Sequence, residues 1–270
     1  MCIRDRVITV TGANDLPTSS AGSASTTEDT LLTFANNDFS FTDVDGDDTS
    51  FSRIQITTIE STGDLECQNA NGDADGWQDC VANDYVTAGT SLRLTPAANS
   101  VADITFSFKV HDGTAYSASS YVMTVSVTAA NDAPTFSATA NDLTVNEDTA
   151  GTITGTTVAD IDDSSLTMTV ASTQSATFSL ATTTDLTFSA GDGTSDNTMT
   201  FSGTTANVNN AIATVTWTSQ LNNNNNAQLT FTVSDGEAGD VVDTVAITVN
   251  AVQDLPTAAD FTVTVNEDNS

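Results

Sequence analysis

Acidic and amide side chains recur in this 270-residue chain at fixed places. Asn131 and Asp132 stand in NDAPT (Asn131–Thr135), which is echoed by NDLPT (Asn14–Thr18) and QDLPT (Gln253–Thr257). Alternating acids occur in TDVDGDD (Thr42–Asp48), as Asp43 and Asp45, and in ADIDDSS (Ala159–Ser165), as Asp160 and Asp162. Asp112 and Asp235 each precede a glycine, in FKVHDG (Phe108–Gly113) and FTVSDG (Phe231–Gly236). A fourth phrase is TTEDT (Thr26–Thr30), VNEDT (Val145–Thr149) and VNEDN (Val265–Asn269). Oxygen donors of this kind suit a hard divalent cation, since calcium takes six to eight oxygens from carboxylates, amides and backbone carbonyls. Carboxylates drawn together repel one another unless a cation holds them. The competing reading is conformational: Asp and Asn form Asx turns and tolerate the left-handed region in any loop. Glutamate favours the cation, because it is a poor turn residue and yet half of all Glu in the chain (Glu28, Glu147, Glu267) occupy one repeat position.

A separate stretch, CQNANGDADGWQDC (Cys67–Cys80), places Asn71, Asp73 and Asp75 at alternate positions before Gly76, with Asp79 beyond. It resembles the Asp-x-Asp-x-Asp-Gly loop, in which glycine permits the sharp turn around the ion, and the calcium loops of thrombospondin type 3 repeats. The first position is Asn71 and the twelfth is Ala82, so the bidentate glutamate of an EF-hand is missing. A variable acidic loop is the alternative. Cys67 and Cys80 bracket the stretch; a bridge closing a loop of about fourteen residues stabilises by about 3 kcal/mol and implies an oxidising compartment. Two free thiols are the alternative.

Catalytic constellations are lacking. His111 is the single histidine, and its repeat counterpart is Ser234. There is no Gly-x-Ser-x-Gly elbow, His-Glu-x-x-His, phosphate loop or zinc cysteine set. Asp160 and Asp162 could form a glycosidase pair, but they recur as repeat elements and no aromatic-lined cleft accompanies them. The expectation is a protein that is not an enzyme.

The acids need a scaffold, and composition points to strands. Thirty-six acids face five bases, a net charge of −31, which argues against nucleic acid and anionic membrane surfaces. Thirty of the acids are Asp; Thr is the commonest residue, with Val, Ile and Phe at the larger apolar positions. That is strand composition, and regular alternation weighs against disorder. No apolar run reaches eighteen residues, so no membrane insertion is expected. MCIRDR (Met1–Arg6) reads as a leader foreign to the fold, a genuine start being the alternative.

The four phrases keep their order, with 117 to 123 residues between copies. Internal repeats of this kind define the architecture. The expected division is 1–13, a leader plus the last strand of a preceding repeat; 14–130, repeat one with the Cys67–Cys80 insertion; 131–252, repeat two; and 253–270, the start of a third. Alternation in DITFSFKVHD (Asp103–Asp112), with Ile104, Phe106, Phe108 and Val110 on one face, and in YVMTVSVTA (Tyr121–Ala129), AQLTFTVSD (Ala227–Asp235) and DTVAITVN (Asp243–Asn250), predicts strands with one buried face. Turn signals between short strands predict a β-sandwich. One helix is expected over Thr204–Val215, capped by Thr204 or Thr205, with Val208, Ala211, Ile212 and Val215 on one side. Proline in each linker phrase ends the last strand and stiffens the joint.

The Val-x-Asp-Gly turn, a final strand and then Ala-x-Asn-Asp-x-Pro resemble the end of a cadherin repeat. FSGTTANVNNAIATVTWTS (Phe201–Ser219) is similar to a segment common in the bacterial cadherin-like and Ig-like tandem repeats, of the VCBS type, found in large surface adhesins. The resemblance covers nearly all of residues 7–270. It implies an all-β fold of tandem antiparallel Ig/cadherin-like sandwiches, end to end, with one short helix in the second repeat. It implies Ca²⁺ at the joints. The central joint would use Glu28, Asn131, Asp132, Asp160, Asp162 and Asp235; the preceding one Asn14, Asp15, Asp43, Asp45 and Asp112; the following one would begin with Glu147 and Asp254. The family's linker Asp two positions before the Asn is replaced by Gly12, Ala129 and Ala251, there is no mid-repeat Asp-Arg-Glu, and Gln253 replaces Asn in the last linker; one or two ions per joint are implied rather than three. The implied role is a secreted or bacterial cell-surface spacer in adhesion, a fragment of a longer protein, with neighbouring repeats as partners. The alternatives are a module binding a glycan or cell-surface protein, with LNNNNNAQ (Leu221–Gln228) and Trp77 as its candidates, and a filament or surface-layer element.

Overall fold

The computed structural model describes residues 12–45, 49–74, 76–89 and 91–256, with Thr262 and Glu267. The MCIRDR leader, Asp75 and the VNEDN phrase apart from Glu267 lie outside the described residues. The chain divides into two compact units, Met1–Ala130 and Asn131–Ser270.

In the first unit the strands are β1 (Gly22–Thr27), β2 (Leu32–Thr33), β3 (Arg53–Thr58), β4 (Asp64–Gln68), β5 (Trp77–Asp79), β6 (Tyr85–Thr87), β7 (Leu92–Thr95), β8 (Ile104–His111) and β9 (Tyr121–Thr128). They form two sheets, ordered β1-β9-β8-β3-β6 and β2-β7-β4-β5. The alternating residues of β8 point inward as their pattern predicts: Ile104, Phe106, Phe108 and Val110 are all buried. They meet Leu65, Cys67, Leu92 and Leu94 from the other sheet. Aromatic rings close the space between, Phe39 standing edge-on to Phe108 at 4.9 Å and Phe34 to Phe106 at 5.5 Å. This is the usual economy of a sandwich, one apolar face per sheet.

In the second unit the strands are β10 (Thr135–Ala138), β11 (Leu143–Asn146), β12 (Gly151–Thr154), β13 (Thr157–Ala159), β14 (Ser165–Ser172), β15 (Thr177–Leu180), β16 (Thr187–Ala190), β17 (Thr198–Thr204), β18 (Thr214–Thr218), β19 (Ala227–Ser234) and β20 (Val241–Asn250). The sheets are β11-β20-β19-β14-β17-β16 and β12-β18-β15, with β10-β13 as a separate pair. Its core holds Met168, Phe178, Phe201, Trp217, Leu229 and Phe231. Helix α1 (Thr205–Ile212) follows β17. Thr204 caps it, its hydroxyl accepting the Asn207 amide at 3.2 Å, and Val208, Ala211 and Ile212 are buried. The helix ends three residues earlier than the apolar spacing predicts. Val215 belongs to β18, where the alternation of TVTWT buries Val215 and Trp217 against β12 and β15.

Most pairing is antiparallel, with one exception that both units share. An early strand of each unit runs parallel to the last: β1 beside β9 over six residues and β11 beside β20 over four. Alternation states which face is buried and is silent on strand direction, so the sequence carries no mark of this. His111 is also better placed than its lone occurrence suggests. It ends β8, is buried, and its Nδ1 accepts the Gly113 amide at 2.9 Å. Burial, reinforced by Arg53, holds its pKa below the ordinary value.

Cys67 and Cys80 are joined in a disulfide, with Cα atoms 5.1 Å apart, and both lie in the core. The bridge ties β4 to the chain beyond β5. Reduction is therefore expected to cost the first unit roughly 3 kcal/mol and to leave the second, which has no cysteine, unchanged. Trp77 and Trp217 are the two tryptophans, one per unit. Denaturant unfolding of Trp217→Phe and Trp77→Phe variants, with and without reductant, reads the two units separately.

Candidate metal centre

In the second unit a short antiparallel pair draws the linker against the Asp-x-Asp loop. Thr135, directly after Pro134, pairs with Ala159; Asp132 and Asp160 lie just beyond the same end of that pair. Asp160 then folds its own loop, its Oδ1 accepting the amides of Asp162 at 2.9 Å and Asp163 at 2.8 Å. Asp162 Oδ2 accepts the Asp132 amide at 2.8 Å. Asn131 Nδ2 donates to Asp235 Oδ2 at 2.8 Å. Asp235, at the turn leaving β19, is fixed through Oδ1 by the amides of Glu237 at 2.8 Å and Ala238 at 2.9 Å. Gly236 makes that turn possible at φ 93°, a region that penalises side chains.

The first unit builds the same network from the counterpart residues. The bridge is Thr18 with Thr42. Asp43 Oδ1 accepts the Asp45 amide at 2.8 Å, Asp45 Oδ2 accepts the Asp15 amide at 2.8 Å, and Asn14 Nδ2 donates to Asp112 Oδ2 at 3.1 Å. Asp112 Oδ1 receives the Thr114 and Ala115 amides. So in each unit the linker Asn and Asp, the Asp-x-Asp loop and the Asp before glycine are brought together. The Asx-turn reading and the gathering of donors coexist: at Asp43 and Asp160 Oδ1 shapes the loop, and Oδ2 is left for the centre.

Those remaining oxygens point to a cation. Asp43 Oδ2 and Asp160 Oδ2 occupy equivalent places, are shielded from water, and have no hydrogen-bond partner. A buried, unsatisfied charged oxygen is costly. In the second unit Asp160, Asp163 and Asp235 each turn one oxygen to within 4.8 Å of the others. Like charges about 4 Å apart near a surface repel by about 4 kcal/mol. Residues 131–270 contain eighteen acids and no Lys, Arg or His, so no side chain of that unit can supply the positive charge. The donor set, all oxygen and set in short loops, fits calcium. Asp163 is a member that the motif comparison misses, because its counterpart in the first unit is Gly46.

The remaining candidates are placed differently. Glu28 and Glu147 are buried at matching sites after β1 and β11. Their Oε1 atoms accept the amides of Ala130 at 2.9 Å and Val252 at 2.7 Å. Asp254 is exposed and shares a hollow with Gln253, Pro256 and Asn222 of the asparagine run. In the insertion Asn71 turns its side chain onto Asp84 Oδ1, at 2.7 Å, and the Tyr85 amide, at 3.2 Å. Asp73 is exposed, and Asp79 lies on β5 opposite Glu66; among the described residues these acids join no group of three. Asp84, buried and organising this loop through Asn71 and the Val81 amide, has no repeat phrase to announce it. Trp77 is stacked under Arg93 at 4.2 Å, and Arg93 is bidentate to Glu66 at 2.6 and 2.8 Å.

No protein-family model and no curated protein matches the chain. Among solved structures it is similar to the titin domains Z1Z2 in complex with telethonin (11% identity, 90% of this chain and 100% of that one, TM-score 0.27). It is also similar to human CDH23 EC21–23 (12% identity, 88% and 70%, TM-score 0.37) and to an endo-fucoidan hydrolase of glycoside hydrolase family 107 (16% identity, 91% of this chain but 30% of that one, TM-score 0.28). Each unit is a β-sandwich of mostly antiparallel strands, and among the described residues no helix is long and apolar enough to cross a membrane.

The Asn131 amide, with the Glu237 and Ala238 backbone amides, holds the Asp235 carboxyl below the usual carboxylate range. At Asp112 burial acts upward, but the Ala115 and Thr114 amides and Asn14 outweigh it and the net shift is also down. Lowered folded values mean that each network stabilises its unit fully above the unfolded pKa, about 3.9, and that this stability is lost as pH falls through the folded value. In metal-free buffer Asn131→Ala is expected to raise the Asp235 midpoint toward 3.9, read by carboxyl-carbon NMR titration.

Proposed function

We propose that this chain is a non-catalytic segment of a bacterial secreted or cell-surface protein, in which calcium stiffens the junctions between tandem sandwiches and the array serves as a spacer in adhesion. The observation that supports it is the repetition of one carboxylate network in both units, with a buried unpartnered oxygen at the same place, Asp43 Oδ2 and Asp160 Oδ2. Turn formation alone accounts for Oδ1 of Asp43 and Asp160 and leaves Oδ2 of each without a purpose.

The reading assigns Asn131, Asp132, Asp160, Asp162 and Asp235 to the centre of the second unit, and Asn14, Asp15, Asp43, Asp45 and Asp112 to that of the first. Glu28 is assigned to the central junction on the chain's own order: its carboxylate holds the amide of Ala130, and Asn131 follows directly. Glu147 holds Val252 in the same manner ahead of Asp254. Calcium would supply the countercharge that residues 131–270 lack; the chain's own groups supply the pre-shaped loops. Extracellular calcium modules bind at roughly 10⁻⁴–10⁻³ M, and an ion that binds only the folded state stabilises it by mass action.

Millimolar calcium is expected to lengthen and narrow the particle in solution X-ray scattering relative to EDTA, with magnesium much less effective. Asp160→Ala together with Asp162→Ala should abolish the change. A profile indifferent to calcium would mean that proline and packing alone hold the junction, and would remove the spacer mechanism.

A further inference from the structure

One sheet of the first unit stands apart in charge. None of the strands β1, β9, β8, β3 and β6 contains an acid, in a chain with thirty-six. Its outward side carries Arg53 on β3 and Lys109 on β8 instead, both partly exposed. Arg53 pairs with His111 and Gln55 with Lys109, so the two cations are diagonal neighbours, their positions about 7–8 Å apart. Among the described residues neither makes an ion pair, whereas Arg93 is committed to Glu66 on the other sheet. The flanking acids are engaged elsewhere. Asp84 holds Asn71 and the Val81 amide, Asp112 holds Asn14 and the Thr114 and Ala115 amides, and Asp103 lies at the far end of β8. Arg53 is set by stacking, its guanidinium 4.9 Å from the centre of the Tyr85 ring. That ring is fixed in turn by its hydroxyl, which donates to Asn71 O at 2.8 Å. The second unit shows that the scaffold does not require these cations. Its corresponding pairs, Thr167 with Ser234 and Thr169 with Thr232, place hydroxyls where the first unit has Arg53, His111, Gln55 and Lys109.

We propose that this face of the first unit binds an acidic polysaccharide, Arg53 and Lys109 taking sulfate or carboxylate groups on neighbouring sugars. The site is independent of the calcium centres. A guanidinium matches such groups with two parallel N–H donors, and an ammonium adds a point charge. Gln55, Thr87 and Ser107 lie on the same side of the sheet and offer hydrogen-bonding groups to sugar hydroxyls. Charge decides the class of partner. The protein as a whole, at −31, repels a second copy of itself and a nucleic-acid duplex. Screening over about 8 Å confines the attraction of two cations to their own surroundings. A single glycan strand meets that limit, since it touches the strip of sheet free of acids and little else.

The test is amide NMR of the full chain, titrated with oligosaccharides of sulfated dextran, of polygalacturonate and of plain dextran. EDTA in the buffer keeps calcium from bridging protein and glycan. One or both acidic glycans should move the Gln55 and Lys109 amides, leave those of Thr169 and Thr232 still, and lose affinity as salt is raised; the arm that responds names the anion. Plain dextran should move none of them. Arg53→Thr together with Lys109→Thr, which copies the second unit, should weaken binding about tenfold or more, and Lys109→Arg should keep it. Arg53→Gln with Lys109→Gln repeats the test with longer side chains, in case the threonines disturb the strands. No response to either acidic glycan, an equal response to plain dextran, equal shifts in both units, or full binding by the substituted chains overturns the proposal. So does tighter binding of a single-stranded oligonucleotide, or a shift that follows protein concentration without any glycan, either of which gives the face to another partner.

Discussion

Everything around the linkers depends on carboxylates being held closer than their charge favours. Backbone amides do the holding. Each of the loop aspartates gives one oxygen to a backbone amide, and the linker amide of Asp15 or Asp132 closes the set. An amide is a donor without net charge, so it orients a carboxylate without neutralising it. The repulsion that remains is what an external cation relieves, and in residues 131–270 no basic side chain competes for that role.

The sandwiches serve this arrangement by placing three distant segments at one end of a unit. The linker, the loop before β3 or β14 and the turn after β8 or β19 lie roughly 30 and 100 residues apart, as the spans of their hydrogen bonds record. Only a closed tertiary core makes such neighbours reliable. In the first unit that core is fixed by clustered phenylalanines and a buried disulfide; in the second α1 and Trp217 occupy the interior instead. Two different interiors thus present one constellation of oxygens.

Much of this was legible in the sequence, and what was not has physical reasons. Period-two alternation named the inward residues of β8 and β19, and the 3.6 spacing named Val208, Ala211 and Ile212. Val215 fitted the helical spacing as well and went to a strand, because a short apolar run satisfies both periods and tertiary packing decides. The parallel pairing of β1 with β9 and of β11 with β20 left no trace, since direction does not alter which face is apolar. Repetition exposed the shared acids and hid Asp163, whose counterpart is a glycine: comparing copies finds what they have in common and averages away what one has alone. Asp84 and the buried setting of His111 were invisible for the same reason, each belonging to the first unit only.

The parallel pairs have a mechanical meaning. A pull on the two ends of the first unit draws β1 one way and β9 the other along their common axis. The six paired residues from Gly22 and Met123 to Thr27 and Thr128 are then loaded side by side in shear. A hairpin pulled apart from its open end would surrender the same bonds one at a time. In the second unit four pairs, Leu143 with Ile247 through Asn146 with Asn250, share the load. A chain under tension thus has its clamps at the parallel strand pair of each sandwich, and the second unit has the shorter one.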